Sequence, residues 1–409
     1  MSTAPAPTTT DSGNDSALPR LVADRARRAP HTVALRAKEL GIWQQTTWSQ
    51  LDEELRVIAH GLADLGIGVG DRVALLADNR PEWLYAELGT SALRAVFVGM
   101  HPATTCTAVE QILNDAAVRV LIAQDQEQVD KAVETGCPRL RWIVHLEHRG
   151  LRDYTDPRLI PYEELRERGR THRVAHPDLL DLTEAQQTTD DLAALVFPFE
   201  SARDDTAATE LRGSDIASAL GGLRTAIPGR SPDGRDVVLP CLSLCEPAER
   251  ALTVWAGAAF GVVIHFPESY DTITGDLREV QPTLRLAPAA TWQRMVSDIE
   301  ERTGSASRLK RACYRLALGA IDRVATRQGA YTPISRLLFA VGYVLSGRAL
   351  RDKLGLRKTR AAFWSITVQG SALPHDIPPD PDTASFFRGL GIPITRTENI
   401  SRTDPDPAP

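Results

Sequence analysis

Between Lys131 and Lys310 the chain has no lysine, and after Lys358 it has none again. Across those two stretches any grip on a phosphate-like anion must come from arginine, hydroxyls or backbone amides. Cysteine is also sparse: Cys106, Cys137, Cys241, Cys245 and Cys313 make up the five. Cys241 and Cys245 form a single CxxxC with no second pair at ligand spacing, which argues against a disulfide framework and against a thiolate metal site. The five are read as buried free thiols. His145 and His148 form an HxxH after RWIVHL and are read as a loop pair, so no metal site is assigned. No apolar stretch reaches the roughly 18 residues that a membrane span needs. The longest, Ala251–Phe266, is broken by Gly257 and Gly261 and predicts a buried helix running into a strand. Residues 1–17, MSTAPAPTTTDSGNDSA, lack the basic start and apolar run of a signal peptide. They read as a disordered lead, residues 401–409 as a disordered tail, and the protein as cytoplasmic.

What is present is a globular composition. The chain has 409 residues, 43% hydrophobic and 24% charged, enough to bury one large core or two smaller ones. Short β-rich runs predict strands at Arg72–Leu76, Ala95–Val98, Val118–Ile122, Trp142–Leu146, Leu192–Val196, Val237–Leu239 and Val262–Phe266. Helical patterns lie between them at Trp48–Leu65, Arg80–Arg94, Ala108–Asp115 and Pro247–Ala259. That alternation predicts layered α/β sheets with right-handed crossovers. The polar stretch at residues 171–190 divides it into two expected α/β subdomains, 18–180 and 191–400.

Several blocks then resemble one family. GIWQQTTWSQL (Gly41–Leu51), GVGDRVALLADNRPEW (Gly68–Trp83), DQEQVDK (Asp125–Lys131), DLAALV (Asp191–Val196), FPESYDTITGDLREVQPTLRLAPAATWQRM (Phe266–Met295), LRDKLGL (Leu350–Leu356) and FFRGLGIPI (Phe386–Ile394) follow in order. Together they resemble the adenylate-forming AMP-binding superfamily, in particular its long-chain fatty acid CoA ligases. The resemblance implies two α/β subdomains like the large N-terminal domain of acyl-CoA synthetases, with the small mobile C-terminal domain absent. It also implies a family chemistry, the activation of a fatty acid with ATP and magnesium followed by transfer to coenzyme A.

The motifs that would carry this chemistry depart from the family pattern. A loop resembling TSGTTGxPKG is expected after Asp191–Val196, and here it reads Phe197, Pro198, Phe199, Glu200, Ser201, Ala202, Arg203, Asp204, Asp205, Thr206. Aligned without gaps, Glu200 and Arg203 replace the two glycines that let backbone amides approach an anion, and Thr206 replaces the lysine. Arg203 or Arg212 is the remaining candidate cation. The YGxTE signature is reduced to Thr397 and Glu398, and the adenylate loop to Gln369, Gly370, Ser371 and Ala372, beside an inserted-looking HDIPPDPDT (His375–Thr383). The resemblance therefore marks Ser201, Thr206, Gly370, Ser371, Thr397 and Glu398 as a degenerate nucleotide site and assigns no catalytic residue and no cofactor. Within LPCLSLCEPAER (Leu239–Arg250), Cys245, Glu246 and Pro247 stand where the family carries an aromatic or histidine near the acyl pocket.

Three classes of role stay open: a noncatalytic binding or regulatory protein, a functional long-chain fatty acid CoA ligase acting alone or completed by a separate chain, and a decayed gene product. Residues 308–360 carry thirteen Lys or Arg against Asp322 and Asp352, a net +11 in a chain of net −6, which leaves −17 elsewhere. This segment is a candidate for an anionic membrane surface, with ISRLLFAVGYVL (Ile334–Leu345) beside it. Nucleic acid is not expected, since the aromatics among these charges sit in helical patterns. A chain ending inside the large domain is expected to expose apolar surface, and this predicts a homodimer or a complex with an intact acyl-CoA ligase. Sedimentation at low and high salt checks this: an apolar interface persists at both, a basic one dissociates at high salt, and a monomer under both conditions contradicts association.

Overall fold

A computed structural model of the chain describes residues 17–197, 208–304, 348–366, 368 and 378–397. It begins with α1 (Leu18–Arg28), the hairpin β1 (Val33–Glu39) and β2 (Ile42–Thr47), and α2 (Trp48–Asp64). Alternating units follow: β3 (Arg72–Leu76), α3 (Pro81–Ala92), β4 (Val96–Met100), α4 (Cys106–Asp115), β5 (Val120–Ala123) and α5 (Gln126–Val133). Next come β6 (Trp142–His145), β7 (Leu159–Pro161), α6 (Tyr162–Ala175), α7 (Leu179–Ala185), β8 (Leu192–Val196), β9 (Thr209–Arg212), α8 (Gly213–Ala226) and β10 (Val237–Val238). A helical run holds α9 (Pro247–Arg250), a π-helical turn at Ala251–Trp255 and α10 (Ala256–Phe260), then passes into β11 (Val263–Phe266). The remainder comprises α11 (Ile273–Val280), β12 (Leu284–Leu286), α12 (Ala289–Gly304), α13 (Arg348–Lys353), β13 (Ala361–Ile366), α14 (Pro381–Gly389) and β14 (Ile394–Thr397).

The strands form three sheets. The largest runs β7-β6-β5-β3-β4-β8-β9 and is parallel except for the β8–β9 hairpin. Its central strands read VALL, VFVGM and VLIA and are buried on both faces, as strands covered by helices on both sides are. Successive residues serve opposite cores, because side chains alternate across a strand. Val73 and Leu75 join one cluster with Leu55, Ile58 and Trp83, while Ala74 and Leu76 join a second with Val109, Leu113 and Val129. A four-stranded sheet runs β10-β11-β1-β2 and a parallel three-stranded one β12-β13-β14. Strands from before and after residues 171–190 share two of these sheets. β8 and β9 extend the largest, and β1 pairs with β11 in parallel, Leu35 opposite Ile264.

Local chemistry explains several element boundaries. Thr47 and Gln50 cap α2 reciprocally, Asp125 accepts from the Gln128 amide at the start of α5, and Pro81 opens α3. The expected helix-into-strand at Ala251–Phe266 is observed, turning at Gly261 with φ +79. The thiols are free where described, yet Cys106 is exposed, because it begins α4 on the outside of the large sheet; Cys137 and Cys245 are buried. Cys313 lies outside the described residues. His145 ends β6, buried, rather than lying in a loop, and its ring meets that of His148 in the following turn at 4.9 Å. Residues 308–347 of the basic segment lie outside the described residues. Within its described part, Arg360 turns inward onto the fully buried Asp236, with contacts of 2.8 and 2.7 Å. Among the described residues no helix is long and apolar enough to cross a membrane.

α2 and α6 cross at contact distance because two glycines face the crossing. A Cβ on Gly61 would sit 2.5 Å from the Leu165 carbonyl oxygen, and one on Gly169 would press on the Val57 carbonyl. Both obstacles are backbone and cannot swing aside. Gly169→Ala should therefore cost about 2 kcal/mol or more through forced separation of the helices. Urea denaturation checks this, and an unchanged midpoint contradicts it.

Candidate functional site

Ligands of parallel α/β sheets bind beyond the carboxyl ends of the strands, and of the six candidate nucleotide residues the one described, Thr397, ends β14. Val196 at the end of β8 pairs with Thr209 of β9. Ser201 and Thr206, with Glu200, Arg203, Asp204 and Asp205, lie outside the described residues. In the third sheet Ile366 of β13 stands opposite Thr397 of β14. The segments that follow, with Gly370 and Ser371 on one side and Glu398 on the other, therefore leave from adjacent strand ends. Those three also lie outside the described residues. Thr397 itself is buried, with 1% of its surface exposed.

The cations nearest in sequence to the hairpin loop are committed elsewhere. Arg212 pairs in register with Leu192, at the opposite end of the hairpin from the loop. Four residues at about 3.3 Å each separate the two ends by roughly 13 Å. Its guanidinium donates to Glu210 at 2.7 Å and to the Asp190 carbonyl at 2.8 Å. Lys131, the last lysine before the gap, is buried and donates to the Pro102 carbonyl at 2.6 Å and to Gln128 at 3.0 Å. It braces the turn after β4, where His101 accepts from the Ala103 amide. Burial lowers the pKa of His101 despite the opposing pull of Asp78.

The segment Leu239–Arg250 is held by side chains from the other half of the chain. Asn79 donates to the Leu242 carbonyl at 2.7 Å and accepts from the Leu244 amide at 2.9 Å. Arg250 is fully buried. It donates to the Leu244 carbonyl at 3.0 Å and lies over the rings of Trp83 and Phe97 at 5.8 and 5.5 Å. Glu87 stands 3.8 Å from Arg250 and accepts from Trp255 at 2.9 Å; burial raises its pKa, with Arg250 opposing. Cys245 lies on the buried side of this segment, its thiol pushed up to about 12 by burial, so it offers no nucleophile.

A second buried polar group went unrecognised in the sequence. Glu249 accepts from the Leu242 amide at 3.0 Å and from the Thr253 hydroxyl at 3.2 Å. Arg285, in the middle of β12, is 3% exposed, lies over Trp292 at 5.2 Å and donates to the Leu354 carbonyl at 3.3 Å. Cys241 sits between them, hydrogen-bonded to Arg285 and raised to about 12 by burial. The signal for Glu249 and Arg250 was a charged pair directly preceding an apolar helix, ERALTVWAGAAF.

The sequence profile described as "AMP-binding enzyme" matches residues 22–197. A long-chain-fatty-acid–CoA ligase of Bos taurus is 24% identical over 380 residues, covering 90% of this chain and 49% of its own length. One of Xenopus laevis is 22% identical over 379 residues, covering 91% and 49%. Over nine-tenths of its length the chain is thus similar to ligases of the adenylate-forming AMP-binding superfamily, and its first half matches that family's model. It spans about half the length of these curated relatives. The fold agrees with solved members. The inhibitor-bound N-terminal domain of FACL13 from Mycobacterium tuberculosis superposes with a TM-score of 0.59 at 17% identity, over 94% of this chain and 75% of that one. The adenylation and carrier didomain of a carboxylic acid reductase from Segniliparus rugosus, in complex with AMP, gives 0.59 at 16%, over 95% and 52%.

Among the described residues, the cations that could stand in for the family's lysine have other partners. Arg212 donates to Glu210 and to the Asp190 carbonyl, Lys131 is committed to the turn after β4, and no lysine lies between Lys131 and Lys310. The polar groups that the structure does gather, Glu249 and Arg285, hold the segment below the strand ends. Burial raises Glu249 from the ordinary 4.5 to about 8. The fold thus keeps a proton that the unfolded chain releases, so this stabilisation is complete below about pH 4.5 and is lost as pH rises through about 8. Glu249→Gln cannot ionise and should escape that loss. Relative to the parent chain it should gain about 5 kcal/mol on going from acid to alkaline pH across this window. Denaturation of both proteins at the two ends of the window checks this, and parallel profiles contradict it.

Proposed function

We propose that this chain is a noncatalytic member of its family, acting as a binding or regulatory protein in the cytoplasm. The observation that carries the reading is the sequence of the phosphate loop: Glu200 and Arg203 replace the two glycines of the relatives, Thr206 replaces the lysine, and Asp204 and Asp205 add two more carboxylates between them. A polyphosphate is stabilised by preorganised donors, cations and metal, and three carboxylates oppose it. The commitment of Arg212 and Lys131 to other partners supports the same reading, since neither is available to replace the lost ammonium. The four cysteines among the described residues are all free thiols, which agrees with a reducing compartment.

Acyl adenylate formation should be absent. With labelled pyrophosphate, ATP, magnesium and a long-chain fatty acid, exchange should equal the control without protein. Fatty-acid-dependent exchange above that control would overturn the reading in favour of a working ligase.

A further inference from the structure

The α2–α6 crossing gathers three histidines away from the strand ends. His60, near the end of α2, is buried with 1% exposure, next to the close-approach Gly61. His172 lies in the last turn of α6, and His176, the exposed C-terminal cap residue of that helix, follows four residues later. Residues four apart share one helix face. The Nδ1 atoms of His60 and His172 are 3.1 Å apart. The rings of His60 and His172 have centroids 5.4 Å apart, and those of His172 and His176 4.5 Å.

We infer that His60, His172 and His176 form a binding site for a first-row divalent cation of the zinc class, clamping α2 to α6. Imidazoles suit zinc, copper and nickel. Two nitrogens bound tetrahedrally at about 2.0–2.1 Å from zinc lie roughly 3.3 Å apart, close to the spacing that His60 and His172 already hold. Gly61 and Gly169 permit that spacing, because a Cβ at either would meet the backbone of the facing helix and hold the two apart. Among the described residues no three ligating side chains yet converge on one point, so binding requires the exposed His176 to turn its ring inward, with water completing the shell. Asp64 ends α2 one turn beyond His60 on the same face and supplies negative charge nearby. The neighbouring guanidiniums are already paired: Arg168 with Glu164 and Asp64, Arg173 with Glu53, and Arg56 with Asp52.

The test uses the full chain without an affinity tag, titrated calorimetrically with zinc chloride, with cobalt absorption as a second readout of coordination. One equivalent should bind at micromolar concentration or tighter and raise the melting temperature, as any ligand selective for the folded state does. His172→Ala and His176→Ala should each weaken binding by roughly tenfold or more while keeping the native circular dichroism spectrum. If His172→Ala does not fold, the exposed His176→Ala carries the test alone. Binding only at millimolar zinc, or wild-type affinity in a folded His172→Ala or in His176→Ala, would overturn the site.

Discussion

A single buried guanidinium, that of Arg250, determines how the second half of the chain sits on the large sheet. It has no exposed surface and is enclosed by Trp83 and Phe97 from the seven-stranded sheet and its helix, by Glu87 of α3, and by the Leu244 carbonyl of its own segment. A charge so placed must keep its partners, since stripping one member from a buried pair costs several kcal/mol. Gly99 completes the enclosure: a side chain there would strike Trp83, which donates to the Ala77 carbonyl at 3.2 Å. The π-helical turn at Ala251–Trp255 starts directly after Arg250 and brings Trp255 onto Glu87. The orientation of Leu239–Arg250, and through it the floor beneath the strand ends, follows from this arrangement.

The same contacts explain why the most family-like block, Gly68–Trp83, persists in a chain whose phosphate loop has diverged. Asn79 holds the Leu242 and Leu244 backbone, and Trp83 packs beneath Arg250. Lys131 likewise braces Pro102. These are folding roles, independent of nucleotide. Asp236 performs a related task farther along, binding Arg230, Arg360 and Thr283 together so that the ends of β10, β12 and β13 meet. The fold can therefore be retained while the loop between β8 and β9 changes its charge.

The alternation of short apolar runs with helical ones was legible because β3, β4, β5 and β11 are buried on both faces and read as continuous apolar stretches. The third sheet was not. β12 has three residues with Arg285 at its centre, and β14 has a threonine at each alternate position with Arg396 between them, so neither shows a strand pattern. Register is a tertiary property: nothing near Leu35 announces that it faces Ile264, more than two hundred residues away. Glu249 and Arg285 were missed because charged residues are expected outside and their partners are distant in sequence.

Inherited architecture without a triphosphate grip is the central claim. Calorimetric titration of the full chain with ATP and magnesium tests it most directly, since binding precedes any chemistry and does not depend on knowing the acyl substrate. The account predicts no saturable heat below millimolar nucleotide. A magnesium-dependent dissociation constant in the micromolar range would contradict it.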